Sequence, residues 1–206
     1  MTRLIAMLAG VAVVGLVAIT YLLTAGASSD DQFAQCRATQ VAGGTSEIGG
    51  PFTLVSETGE TVTDEDVIDQ PTLIYFGYTF CPDVCPIDIV NNTVAIDILE
   101  DKGLQVKPVF ISVDPKRDTP EVMADFTENV HPRLLGLTGS DEQVKAASEA
   151  YRTYYKAQDG DDEYYLVDHS TFSYLTLPEV GFVEFFRRGT EPEAMADTIA
   201  CFLEAA

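Results

Sequence analysis

The segment that most constrains this chain is a β-prone run that ends in a pair of thiols. Thr72-Leu73-Ile74-Tyr75-Phe76 is continuous and apolar, as expected of a strand buried on both faces. Gly77 to Pro82 reads as a turn, and Cys81-Pro82-Asp83-Val84-Cys85-Pro86 leads into a helix expected from Cys85 to Lys102, with Gly103 as its stop. A strand that delivers two cysteines to a helix start makes them reactive, because the helix dipole and nearby N–H groups favour a thiolate. Residues four apart share one helix face, so both sulfurs can reach one small site. The pair is open to four readings at this point: a redox dithiol, a disulfide, a metal chelate, or inert packing. Pro, Asp and a glycine turn are a poor setting for the last.

The remaining pattern alternates strands and helices. Residues 51–55 and 61–63 flank a Gly59 turn and suggest a hairpin, and Thr63-Asp64-Glu65-Asp66 resembles a capped helix start. Val106 to Val113 is a second buried strand. Thr119-Pro120-Glu121 opens a helix to about residue 129, with Thr as cap and Pro at the first helical position. Residues 134–137 form a short strand, and Ser140 starts a helix expected to reach about residue 154. A charged loop covers 156–163. Residues 164–167, 172–177 and 181–187 are β-prone, and Glu191-Pro192-Glu193 starts a last helix ending near Leu203. This order implies an α/β fold, a mixed sheet flanked by helices, with strands 72–76 and 106–113 parallel through a right-handed crossover. The chemistry then falls at the carboxyl end of a strand.

Leu4 to Ala25 is uncharged and mostly apolar, and a helix of that length rises about 33 Å, enough to cross a bilayer. Arg3 precedes it and Asp30-Asp31 follow, so the N-terminus is read as cytoplasmic and the rest as exported. The rival is a cleaved signal peptide, with Ala25-Gly26-Ala27 as cleavage site, but the apolar stretch is longer than a usual signal core. The expected organisation is residues 1–26 as cytoplasmic N-terminus and transmembrane anchor, 27–35 as tether, and 36–206 as one domain. The chain holds 12 basic and 33 acidic residues, a net charge of −21. Only Arg3 among the bases lies in the anchor segment, so the exported part is more acidic still. Such a surface excludes nucleic-acid binding, which needs a basic footprint, and attracts cations and basic partner surfaces. Solubility, or a salt-adapted host, explains the same charge.

Four cysteines in a disulfide-permissive space invite pairing. A Cys36–Cys201 disulfide would pin the start of the domain to its end. The alternative is two separate buried thiols. A metal held by Cys81 and Cys85 needs a further ligand, and only His131 and His169 are imidazoles. His169 lies in Asp168-His169-Ser170, a polar break between two β-prone runs, where Asp168 or a backbone carbonyl could fix its tautomer. His131, before Pro132 at a helix end, reads as a surface or capping residue. Two thiolates and an imidazole suit copper, whereas structural zinc usually recruits a fourth protein ligand. Residue type alone leaves His169 open as a ligand.

Residues 75–86, Tyr-Phe-Gly-Tyr-Thr-Phe-Cys-Pro-Asp-Val-Cys-Pro, resemble the signature of the Sco/SenC copper proteins. The resemblance continues in Ile48-Gly49-Gly50-Pro51-Phe52, in residues 110–120 (Phe-Ile-Ser-Val-Asp-Pro-Lys-Arg-Asp-Thr-Pro), in Leu137-Thr138-Gly139-Ser140 and in Asp168-His169-Ser170, and spans about residues 45–204. It implies a thioredoxin-like fold carrying one copper, Cu(I) or Cu(II), per chain, with Cys81, Cys85 and His169 as ligands and Cys81 and Cys85 as a redox-active dithiol. It further implies copper donation to, or thiol reduction of, the binuclear CuA site in subunit II of cytochrome c oxidase. A thiol reductant and another copper chaperone would then be partners, and the place a bacterial inner membrane, crossed once, with the domain in the periplasm. Cys36, Cys201 and the acidic loop 158–163 depart from the family's core pattern without touching a ligand. The rival functions are a thiol–disulfide oxidoreductase with incidental metal affinity, a redox or copper sensor and, more weakly, a peroxidase on the same superfold.

Overall fold

In the computed structural model, β3 (Thr72–Gly77) lies in the interior of the sheet and every one of its residues is buried. The residues described are 15–20, 32–37, 47–160 and 164–206. Residues 15–20 are helical, and among the described residues no helix is long and apolar enough to cross a membrane. The expected span 4–25 and tether 27–35 lie largely outside the described residues, as do residues 161–163 of the acidic loop.

Residues 36–206 form one compact unit. Its seven-stranded sheet runs β2 (Thr61–Thr63), β1 (Thr53–Ser56), β5 (Leu135–Thr138), β4 (Lys107–Ser112), β3, β8 (Ser173–Leu177), β9 (Gly181–Phe186). β3 and β4 are parallel from Thr72–Lys107 to Gly77–Ser112, as the crossover rule predicts. β8 pairs antiparallel with β3 and with β9, so a late hairpin closes the other side. The helices are α1 (Asp64–Val67), α2 (Val84–Asp101), α3 (Pro120–Val130), α4 (Asp141–Ala150) and α5 (Pro192–Ala205). Ile74, Phe76, Phe110 and Ile111 on the central strands and Ile89 on α2 share one core and are at most 1 % exposed. Each such side chain contributes about 1.5–3 kcal/mol by leaving water.

Local chemistry explains most helix starts. Thr63 and Ser140 form capping boxes with Asp66 and Gln143, and Thr119 caps α3 with Pro120 inside its first turn. The Cys36–Cys201 disulfide is formed and ties the start of the unit to α5.

Three expectations are corrected. The helix from Ser140 ends at Ala150 rather than near residue 154. Tyr151 turns inward to 1 % exposure, and Arg152 takes a left-handed φ of 50°, which a helix cannot continue. The expected loop 156–163 begins instead as β6 (Tyr155–Ala157). The expected strand 164–167 forms later, as β7 (Val167–His169), and pairs antiparallel with β6 in a separate two-stranded ribbon. His169 is therefore a strand residue opposite Tyr155, not part of a break at the sheet edge.

Candidate metal centre

Three pieces of the fold deliver the three expected ligands to one point. The turn after β3 carries Cys81, the first turn of α2 carries Cys85, and the ribbon carries His169. Sγ of Cys81, Sγ of Cys85 and a ring nitrogen of His169 all lie within 4.8 Å of one another. Cys85 is fully buried, Cys81 is 7 % exposed and His169 is partly buried. A metal bound at about 2.0–2.3 Å by each atom keeps its ligands within about 4.6 Å, so this soft donor set fits one ion with little movement. Among the described residues it is the one group of its kind.

The backbone makes room for it. A Cβ on Gly77 would sit 3.1 Å from Cys85 Sγ and 2.9 Å from the Tyr75 ring, so the last residue of β3 must lack a side chain. His169 Nδ1 hydrogen-bonds the Ser170 carbonyl at 2.9 Å, which places the ring proton there and turns the Nε2 lone pair toward Cys85 Sγ, 3.2 Å away. The tautomer-fixing partner is thus the carbonyl. Asp168 instead accepts from Gln158 at 2.8 Å. The rings of Tyr75 and Tyr78 meet the imidazole edge-on, with centroids 6.2 and 5.8 Å away.

The two thiols are unequal. Burial opposes ionisation of Cys81, but the Cys85 thiol and the N–H groups of Cys85, Asp83 and Val84 outweigh it and hold the thiol below its ordinary range. The Cys85 N–H donates to Cys81 Sγ at 3.4 Å. Burial, followed by the neighbouring Cys81 thiol, pushes Cys85 strongly upward. Burial also lowers His169, against the pull of the Ser170 carbonyl and Asp88, so the imidazole stays neutral and able to bind. His131 has no part here. It caps α3 through its N–H to Thr127 and pairs Nε2 with Asp97 at 3.0 Å.

The family model described as SCO1/SenC matches residues 40–204. Protein SenC of Rhodobacter capsulatus is 50 % identical over 200 residues, covering 97 % of this chain and 90 % of that protein. The chain belongs to the SCO1/SenC family. The mitochondrial SCO1 homolog 1 of Arabidopsis thaliana is 43 % identical across 76 % of this chain, which spans about half (47 %) of that longer protein. The crystal structure of Arabidopsis ScoI with copper bound superposes with a TM-score of 0.74 at 41 % identity, covering 77 % of this chain and 99 % of that one. The thioredoxin-like fold is thus shared with solved SCO1/SenC relatives.

Around the SCO1/SenC thiols the structure adds polar residues that the sequence reading passed over. Asp118, with no exposed surface, accepts from the Thr79 N–H at 3.1 Å, the Thr79 hydroxyl at 2.6 Å and the Ser112 hydroxyl at 2.6 Å. It thereby ties the cysteine turn to the end of β4. Burial raises its carboxyl above the usual range despite these three donors. The Tyr75 hydroxyl donates to the buried Asp88 at 3.0 Å. Arg117 pairs through Nε with Asp114 at 2.5 Å, and its guanidinium lies 3.6 Å from the Tyr165 ring centre and 5.0 Å from that of Phe80. Acids in the loop at the carboxyl end of the strand beside β3 were the available signal for Asp114 and Asp118. Nothing in the strand pattern of Tyr75 pointed to its hydroxyl.

Proposed function

We propose that this protein is a copper-binding protein of a bacterial inner membrane, held by its N-terminal apolar segment with the domain in the periplasm. It delivers copper to the CuA site of cytochrome c oxidase subunit II, reduces the cysteines of that site, or does both. The observation that carries this reading is the convergence of Cys81, Cys85 and His169 within 4.8 Å. Its support is membership of a family with copper-bound structures and an apolar run at Leu4–Ala25 long enough for an anchor.

Copper is cargo on this reading. A set of three protein ligands leaves a position open for an incoming thiolate, so the ion can leave by ligand exchange without passing free through solvent. Loading would come from another copper chaperone by the same exchange.

The reductase arm has its own observation, the unequal thiols. Cys81, the more exposed and more acidic, is the attacking sulfur. Its thiolate bonds to one sulfur of a target disulfide and releases the other as thiolate. Cys85, whose thiol faces His169 Nε2 at 3.2 Å, then gives its proton to the thiolate released from the target and displaces the target's remaining sulfur. Two electrons pass to the target, and a Cys81–Cys85 disulfide remains, which cannot bind copper until a thiol reductant restores it. Copper loading is therefore gated by redox state.

The test is metal analysis and spectroscopy of the purified chain, followed by transfer to a CuA domain. The expected result is about one copper per chain with sulfur-to-Cu(II) charge-transfer absorption, lost in Cys81→Ala, Cys85→Ala and His169→Ala. Full copper content and absorption in all three variants would refute the reading.

A further inference from the structure

The loops that carry the ligands also build a groove beside them. Phe80, Pro82, Arg117, Tyr164, Tyr165 and Leu166 line a cavity of about 360 Å³. Phe80 and Pro82 flank Cys81 in sequence, and 164–166 lead into the strand of His169. Arg117, stacked on Tyr165 and Phe80, joins the two walls. Large apolar side chains stand open to solvent here: Phe80 is 53 %, Tyr164 79 % and Leu166 47 % exposed. A cluster of exposed aromatic and aliphatic side chains with few charges is the composition of an interface core.

The occupant follows from the proposed donor function, on which this inference rests. Cys85 is sealed, whereas Cys81 is 7 % exposed and His169 only partly buried, so cargo leaves between Cys81 and His169. An acceptor sulfur must come within bonding distance of an ion held there. The acceptor chain on either side of that sulfur must then lie over Phe80, Pro82 and the 164–166 wall. We propose that this groove receives an apolar side chain flanking the metal-binding cysteine of the acceptor protein, and so aligns that cysteine with Cys81. At this volume, near the lower end of ligand clefts, it holds a side chain or two rather than a folded element. The net charge of −21 favours a basic-rimmed protein as partner, and disfavours both an anionic lipid surface and a second copy of this chain.

In the transfer, the acceptor thiolate forms its bond to copper as the bond to Cys81 Sγ breaks, and the bonds to Cys85 Sγ and His169 break in turn as the acceptor's remaining ligands replace them. The proton given up by the acceptor thiol passes to the released Cys81 sulfur, and the oxidation state of copper is unchanged.

The experiment uses the full chain in detergent micelles, copper-loaded, with two acceptors: a purified CuA domain and glutathione, which has no flanking apolar chain. The variant is Tyr164→Ser with Leu166→Ser, and Val94→Ser, an exposed position on α2, is the control. The expected result is a rise of about tenfold or more in the CuA-domain concentration giving half-maximal rate, the effect of losing one interface anchor. Copper content and the rate to glutathione hold at parent values, and Val94→Ser behaves as parent. If the double variant transfers to the CuA domain like the parent, the groove is wrong and the donor function stands. If the parent itself transfers no faster to the CuA domain than to glutathione, the donor function fails and the groove with it. Equal slowing toward both acceptors, or equal loss in Val94→Ser, also overturns the proposal, as does a parent dimer that the double variant dissociates.

Discussion

Cys85 Sγ and His169 Nε2 lie 3.2 Å apart although 84 residues separate them. The contact joins the first turn of α2 to the two-stranded ribbon, and the Ser170 carbonyl fixes which nitrogen makes it. On the proposed reading one imidazole has two roles, metal ligand and hydrogen-bond acceptor for the buried thiol. The dithiol can act without the first role, but the metal site cannot.

His169→Ala separates these roles. Copper affinity is expected to fall at least about 100-fold, more than the loss of an outer hydrogen-bonding partner costs. Reduction of a disulfide-bonded CuA peptide continues, more slowly, since Cys81 and Cys85 remain. Competition titration with a copper chelator and a single-turnover thiol assay read the two effects. Unchanged copper affinity would remove His169 from the ligand set.

Copper loading should weaken as pH falls, with the thiols as its cause. Binding requires both to be deprotonated, so each proton still held must be displaced. Cys81, held below its ordinary range, surrenders its proton readily, whereas Cys85, pushed up by burial, keeps its proton until the metal arrives. His169 is lowered from its ordinary 6.5, so its protonation competes only at still lower pH. Above the lowered Cys81 value about one proton, that of Cys85, should be released per ion bound, rising toward about two below it. Chelator competition in buffers of different ionisation enthalpy measures this. A pH-independent affinity contradicts the thiolate site.

The site was legible because its parts carry local signals. A run buried on both faces, a glycine turn and cysteines four apart mark Cys81 and Cys85, and Ser140 and Thr119 announce their helices. The ribbon was not legible. Tyr155–Ala157 is half-buried at its first residue and exposed at the next two, so no hydrophobic alternation marks it as a strand. The end of α4 was hidden for a different reason, because burial of Tyr151 is a tertiary choice that helix propensity does not contain. The buried acids were hidden most deeply. Asp118 reads as one more loop residue beside a helix cap until Thr79 from the cysteine turn and Ser112 from the end of β4 are brought to it.

The disulfide should support stability without touching the site. Its partners are 165 residues apart, and closing a loop of that length contributes about 5 kcal/mol in the chain-entropy model. Cys36→Ser with Cys201→Ser is expected to lower the unfolding midpoint markedly while still binding one copper per chain. Denaturant melts and metal analysis of the same preparation check both halves. Copper loss without a stability change would mean that these cysteines serve the metal site.

Arg117 should govern how long His169 stays in place. Its Nε holds Asp114, which also accepts from the Tyr165 hydroxyl at 2.5 Å, and its guanidinium stacks on the Tyr165 ring. Tyr78 adds a second tie, accepting from the Val167 N–H at 3.3 Å. These contacts fasten the segment leading to His169 onto the loop after β4 and onto the turn after β3. Arg117→Ala removes a charged hydrogen bond, worth about 1.5–3 kcal/mol, together with the stacking. Release of copper to a chelator should accelerate about tenfold or more. Arg117→Lys keeps the charge beside Asp114 but has no planar face for Tyr165, so it should recover stability more fully than the release rate. Thermal melts and stopped-flow release compare the two. If lysine restored both to the same degree, charge alone would hold the ribbon; if alanine left the release rate unchanged, the Tyr78 contact would be sufficient to hold it.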